Sequence, residues 1–242
     1  ENGTVLTNYL NEKLGNEDIK FIPGIQYRHL LIVKRASKHT VCAPPHDHPG
    51  EEWQGLLIKP EKGWEDKREP IMGFDGKPTG ESRMTAQETA DLLNSLIIKS
   101  KDLLEAHPYN KAKKENGERM ANLIWPWGGG YRPSMKTLME KYPQVKSGSC
   151  ISAVDLIKGI GKYAGLDVIS VPRATGLANT NYEGKVAAAI TALYNQDFVF
   201  VHFEASDEAG HDGNLELKLK TIENLDHRVV EPIYNEVKQW DE

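Results

Sequence analysis

The apolar run Phe198-Val-Phe-Val-His-Phe203 is almost entirely β-branched and aromatic, and it predicts a strand buried on both faces. Leu30-Leu-Ile-Val33 is a shorter apolar run that predicts a strand, and residues 147–152 and 166–171 read as further strand-like segments. Helical spacing takes over elsewhere. Leu6, Tyr9, Leu10 and Leu14 form one face closed by Gly15, and Thr85-Ala-Gln-Glu88 has capping-box spacing ahead of a stripe at Ala90, Leu93, Leu96, Ile97 and Leu104 that Pro108 ends. Residues 134–142 predict a short helix, and residues 155–164 a longer one with Leu156, Ile157 and Ile160 inward. Residues 182–194 carry the stripe Lys185, Val186, Ala189, Ile190 and Leu193. Residues 215–237 place Leu217, Ile222, Leu225, Val229 and Ile233 on one side of a long amphipathic segment.

From Cys150 onward, strands and helices alternate. Right-handed crossovers then give an α/β architecture, a parallel sheet covered by helices. The first hundred or so residues are mixed α/β of a different texture. Residues 51–82 are charged and rich in Gly and Pro, with a turn signature at Phe74-Asp-Gly-Lys77. The polar run at residues 111–118, with Asn116-Gly117, predicts a boundary that separates domain 1–116 from domain 117–242. Leu123-Ile-Trp-Pro-Trp-Gly-Gly-Gly130 predicts a strand entering a close-approach loop. It lacks the downstream Gly-Lys-Ser/Thr of a nucleotide P-loop, and Pro133 interrupts any immediate helix.

Bulk properties narrow the function classes. The chain has 242 residues, 27% charged and 39% hydrophobic, as in soluble globular proteins. A net charge of −5 offers no basic field for nucleic acid, and no apolar run approaches a membrane span. Cys42 and Cys150 match no metal spacing and read as two buried thiols of a reducing cytoplasm.

Candidate chemistry collects after the apolar strand, because parallel sheets concentrate it at strand carboxyl ends. Asp207 and His211 lie four residues apart with Gly210 between them to turn the loop, and both could face one divalent ion. The competing reading is a polar loop in which Asp207 caps the next helix. Arg28, at the entrance to the Leu30–Val33 strand, could hold a carboxylate or phosphate through its forked guanidinium. Within His46-Asp47-His48, alternate side chains of an extended segment point apart, so a stiff exposed turn is preferred over a metal cluster.

Glu204-Ala-Ser-Asp-Glu-Ala-Gly-His-Asp-Gly-Asn214 resembles the metal loop of archaeal-type cofactor-independent phosphoglycerate mutases, members of the alkaline phosphatase superfamily. The likeness extends to Ser152-Ala-Val-Asp-Leu-Ile-Lys-Gly-Ile-Gly161, Ala174-Thr-Gly176, Thr180-Asn-Tyr-Glu-Gly-Lys185, Tyr27-Arg-His-Leu-Leu31 and Pro44-Pro-His-Asp-His-Pro49. The resemblance implies part of an alkaline phosphatase-like sheet plus a smaller insert domain that closes over substrate. It implies interconversion of 3- and 2-phosphoglycerate through a metal-activated phosphoserine, with two divalent ions (manganese, zinc or magnesium). It also implies Arg28, His46, Asp47 and Lys158 as substrate ligands and Asp207 and His211 as metal ligands. Ser134, Ser147, Ser149 and Ser152 match no nucleophile loop, so the catalytic nucleophile is unassigned; Asp226-His227 matches a helix position and is declined as a metal-ligand pair, and the chain is expected to be an internal portion of the enzyme. A homoserine kinase-like phosphotransferase, another phosphatase or phosphomutase of the superfamily, and a non-catalytic module holding acidic metabolites through Arg28, His46 and Arg132 remain alternatives.

Overall fold

A computed structural model describes residues 2–24, 28–44, 47–48, 50–73 and 76–240. The chain forms two compact units, Glu1–Arg132 and Pro133–Glu242.

In the first unit, helix α1 (Asn2–Leu14) packs on strand β1 (Ile19–Ile22), which pairs antiparallel with β2 (Leu30–Val33) in the register Ile19↔Val33. Leu6, Leu10, Ile19, Phe21, Leu96 and Leu104 form the core between this hairpin and helix α2 (Ala86–Ala106). β2 is therefore a half-buried strand and not a fully buried one. Leu31 and Val33 pack inward, while Leu30 is 63% exposed because a two-stranded ribbon covered on one side buries alternate residues. The capping box at the head of α2 forms as predicted: the Thr85 hydroxyl accepts from the Glu88 N–H, and the Glu88 carboxylate accepts from the Thr85 N–H. Two further ribbons, β3 (Thr40–Val41) with β4 (Lys59–Pro60) and β5 (Pro70–Met72) with β6 (Pro78–Ser82), are antiparallel.

Helix α3 (Pro108–Glu115) does not end this unit, so the division lies at residues 132/133, where 116/117 was expected. The next segment runs back over α2: Ile124 N–H donates to Ser100 Oγ (2.9 Å), Asn110 Nδ2 donates to the Ala121 carbonyl (2.9 Å), and Trp125 Nε1 donates to the Ala43 carbonyl (2.6 Å). Leu123, Ile124 and Trp125 cover the buried Ile58, Ala90 and Ile97. The segment is held by side chains instead of a ladder, so it is not the strand its apolar residues predict.

The second unit opens with the short helix α4 (Leu138–Lys141) and contains a parallel sheet of order β8-β7-β9, formed by β7 (Gly148–Ile151), β8 (Asp167–Ile169) and β9 (Phe198–Val201). All four residues of β7 are buried, as a central strand requires. β9 is an outer strand of this sheet and only half-buried. Phe200 is 41% exposed, which corrects the expectation of burial on both faces. Helix α5 (Asp155–Tyr163) approaches the sheet so closely that a Cβ at Gly161 would lie 2.7 Å from the Cβ of Cys150. That contact selects the Ile157–Gly161 face and turns Leu156 (70% exposed) and Ile160 (51%) outward, against the expected inward placement.

Helix α6 (Tyr182–Leu193) buries Tyr182, Lys185, Val186 and Ala189. The long final segment is not one continuous α-helix. It runs as α8 (Leu215–Leu225), a π turn (Asp226–Val230) and α9 (Glu231–Val237). The π turn buries Val229 against Tyr182 and Val186, and it swings Arg228 onto Glu183 through two hydrogen bonds (2.7 and 2.9 Å).

Candidate functional site

The ends of β7 and β9 bring polar groups together at one edge of the parallel sheet. His202 continues β9 by donating its N–H to the Ile151 carbonyl (2.8 Å), and its Nδ1 lies 3.3 Å from Ser152 Oγ, just past the end of β7. Ser152 Oγ also accepts from the Val154 N–H (3.0 Å) at the entrance to α5. Burial lowers the pKa of His202, and the Glu204 and Asp207 charges oppose that shift. Lys185, almost fully buried on α6, donates to the His202 carbonyl (3.0 Å) and the Thr175 carbonyl (3.5 Å) with its Nζ 4.5 Å from the centre of the Phe203 ring. Desolvation lowers its pKa, and Glu204 works in the opposite direction.

The stretch after Phe203 is a helix, α7 (Ala205–His211), where a sharply turning loop was expected. Gly210 is a helical residue whose missing side chain leaves room for the Lys218 ammonium, which donates to the Ser206 carbonyl at 2.7 Å. The helix sets Asp207 and His211 one turn apart on the same face, His211 Nε2 lying 3.4 Å from Asp207 Oδ2, with side-chain exposures of 76% and 70%. A carboxylate oxygen and an imidazole nitrogen that converge on an open face fit the donor chemistry of a divalent cation. Among the described residues, no third His, Cys, Asp or Glu completes a cluster with them.

The other predicted site residues are dispersed. Lys158, on α5, lies 3.4 Å from Asp155 Oδ1. Arg28 and Asp47 belong to the first unit: Arg28 precedes β2, and the Asp47 N–H donates to the Pro44 carbonyl (3.1 Å). His46 lies outside the described residues. Of the two cysteines, Cys150 is buried, whereas Cys42 is only partly so. The Ser152–His202–Lys185 group was not anticipated as a site. Its visible signal was a lysine inside an otherwise apolar helical stripe, a position that demands partners for a buried charge.

A parallel sheet with helical crossovers gives this unit an α/β architecture, and comparison with known families narrows the class. Residues 67–242 match the Metalloenzyme superfamily, and the chain belongs to that superfamily. Residues 1–110 match the family described as 2,3-bisphosphoglycerate-independent phosphoglycerate mutase. Similar proteins bearing that name include one from Methanosarcina acetivorans, 45% identical over 98% of this chain and 53% of its own length. Another, from Methanosarcina barkeri, is 44% identical over 100% of this chain and 54% of its own length. The chain thus spans about half the length of the curated relatives it matches. Among solved structures, a Pyrococcus horikoshii protein is similar with a TM-score of 0.55 at 34% identity, over 63% of this chain and 39% of that one. The cofactor-independent phosphoglycerate mutase from Thermoplasma acidophilum shares the fold, with a TM-score of 0.50 at 23% identity over 96% of this chain and 53% of that one.

Proposed function

We propose that this chain forms part of a cofactor-independent phosphoglycerate mutase that interconverts 3-phosphoglycerate and 2-phosphoglycerate in the cytoplasm. In this reading the first unit supplies the substrate-closing domain and the second the middle of the metal-binding domain. The observation that carries it is the convergence of Asp207 and His211 past the end of β9, inside the stretch that matches the metalloenzyme family. These two residues hold one of two divalent ions, with manganese the first to test. When bound, such ions offset charge on a transferring phosphoryl group and activate a hydroxyl nucleophile.

The remaining roles are those the family resemblance implies. Arg28 presents a fork suited to a carboxylate or phosphate, His46 and Asp47 are substrate ligands, and Lys158 meets the phosphate. Lys158 would have to exchange its 3.4 Å contact with Asp155 for that phosphate.

The test is conversion of 3-phosphoglycerate by the full-length protein with manganese, read by coupling 2-phosphoglycerate to enolase. His211→Ala and Asp207→Asn should each lower turnover at limiting metal by about 100-fold or more, because loss of a ligand exceeds the effect of losing its supporting partners. Unchanged activity in both variants would reject the assignment of the pair.

A further inference from the structure

We propose that Lys185 is a positioning residue that locks two loops together at the sheet edge and thereby sets the placement of α7 with its Asp207–His211 pair. The inference deepens the metal-site reading and rests on it for its functional meaning.

The topology makes the case. β8 and β9 are the outer strands on either side of β7, so the loops that leave them have no backbone pairing to each other. The Lys185 ammonium bridges these loops by donating to the Thr175 carbonyl after β8 and to the His202 carbonyl at the end of β9. A second contact joins the same segments: a Cβ at Gly176 would lie 2.6 Å from Glu204 Oε2, so the loop backbone runs directly against the first residue of the metal-bearing stretch. Helix α6 does not need the charge in order to pack. Tyr182, Val186 and Ala189 already bury it, Tyr182 stacking 5.4 Å from Phe203 and Val186 clustering with Val229. A methionine would fill the same space and avoid the cost of burying an ammonium. What the lysine adds is a pair of directed, charge-assisted hydrogen bonds to carbonyls from two separate loops. Phe203 sits between the carbonyl that Lys185 holds and Glu204, where α7 begins, so a shift at His202 passes into α7 over very few bonds.

The experiment is amide hydrogen exchange on the 242-residue chain, with Mn²⁺ binding followed in parallel by paramagnetic broadening at His211. Lys185→Met should speed exchange at residues 173–177 and 204–211 together, with the β7 amides of Cys150 and Ile151 keeping wild-type protection. It should weaken Mn²⁺ binding by about tenfold, as loss of a group that orients a metal ligand does. Lys185→Gln, which keeps a neutral donor, should do the same to a smaller extent, and it decides the matter if the methionine variant unfolds. Val186→Ala removes packing from the same helix and should loosen α6 and β9 without coupling the two loops. Wild-type exchange in both lysine variants, or a uniform rise that includes Cys150 and Ile151, would overturn the positioning role. Failure of the wild-type chain to bind Mn²⁺ at His211 would overturn the cation reading instead, and the exchange result would stand independently of it.

Discussion

The approach of α5 to the sheet can be tested with two glycines of one helix. Gly159 and Gly161 both lie inside α5, so replacing either with alanine should gain about 1 kcal/mol of helix propensity. Their surroundings differ. A Cβ at Gly159 meets nothing within 4 Å, whereas one at Gly161 would lie 2.7 Å from Cys150 Cβ and 2.9 Å from Cys150 Sγ. Those atoms belong to the buried central strand and cannot rotate away as the tip of a long side chain would. Forcing a methyl group into such packing costs about 1–3 kcal/mol. The propensity gain is common to both variants and cancels, so Gly161→Ala should be less stable than Gly159→Ala by about 1–3 kcal/mol. Native-state exchange of the Cys150 and Ile151 amides reads the second unit directly, and each 1.4 kcal/mol appears as about tenfold in protection. Equal protection in the two variants would refute the close contact and, with it, the explanation for the outward turn of Leu156 and Ile160.

In the first unit, Ile97→Ala empties a fully buried position beneath Trp125 and should cost about 2–5 kcal/mol, followed by tryptophan fluorescence in urea. Thr85→Ala removes the hydroxyl half of the α2 capping box and should cost about 1 kcal/mol by the same assay. The Glu88 carboxyl is held below the usual carboxylate range by the Thr85 backbone N–H and by Arg68, so its contribution is complete above that range and is lost as the pH falls through its lowered value. Glu88→Gln should flatten this acid limb of the stability curve, and an unaltered limb would show that the shift belongs elsewhere. Arg228→Ala breaks the fork to Glu183, but the pair is largely solvent-exposed, so the loss should not exceed about 1 kcal/mol in thermal unfolding of the second unit.

The parts of this structure that were legible in sequence are those governed by local pattern. The Thr85–Glu88 box and the alternation that builds the parallel sheet depend on residues close in the chain. Misjudged features depend on partners far away. Phe198–Val201 has the composition of a central strand, yet the order of a sheet is set by connections and not by any strand's own residues. Leu156 and Ile160 follow a helical period that also fits Ile157 and Gly161, and only Cys150 on another element decides between the two faces. Lys185 was visible as a residue of the apolar stripe, but its role depends on carbonyls contributed by two loops that no spacing rule connects to it.

The return of residues 119–125 over α2 also determines where this gene can be cropped. A fragment stopped at residue 116 would remove Ala121, which both accepts from the side-chain amide of the buried Asn110 and donates to its carbonyl oxygen. It would also strip the covering from Ile97 and leave Ser100 without the Ile124 amide. A fragment carried through Arg132 retains every one of these partners, so the longer piece is the one to express when the amino-terminal half is wanted by itself.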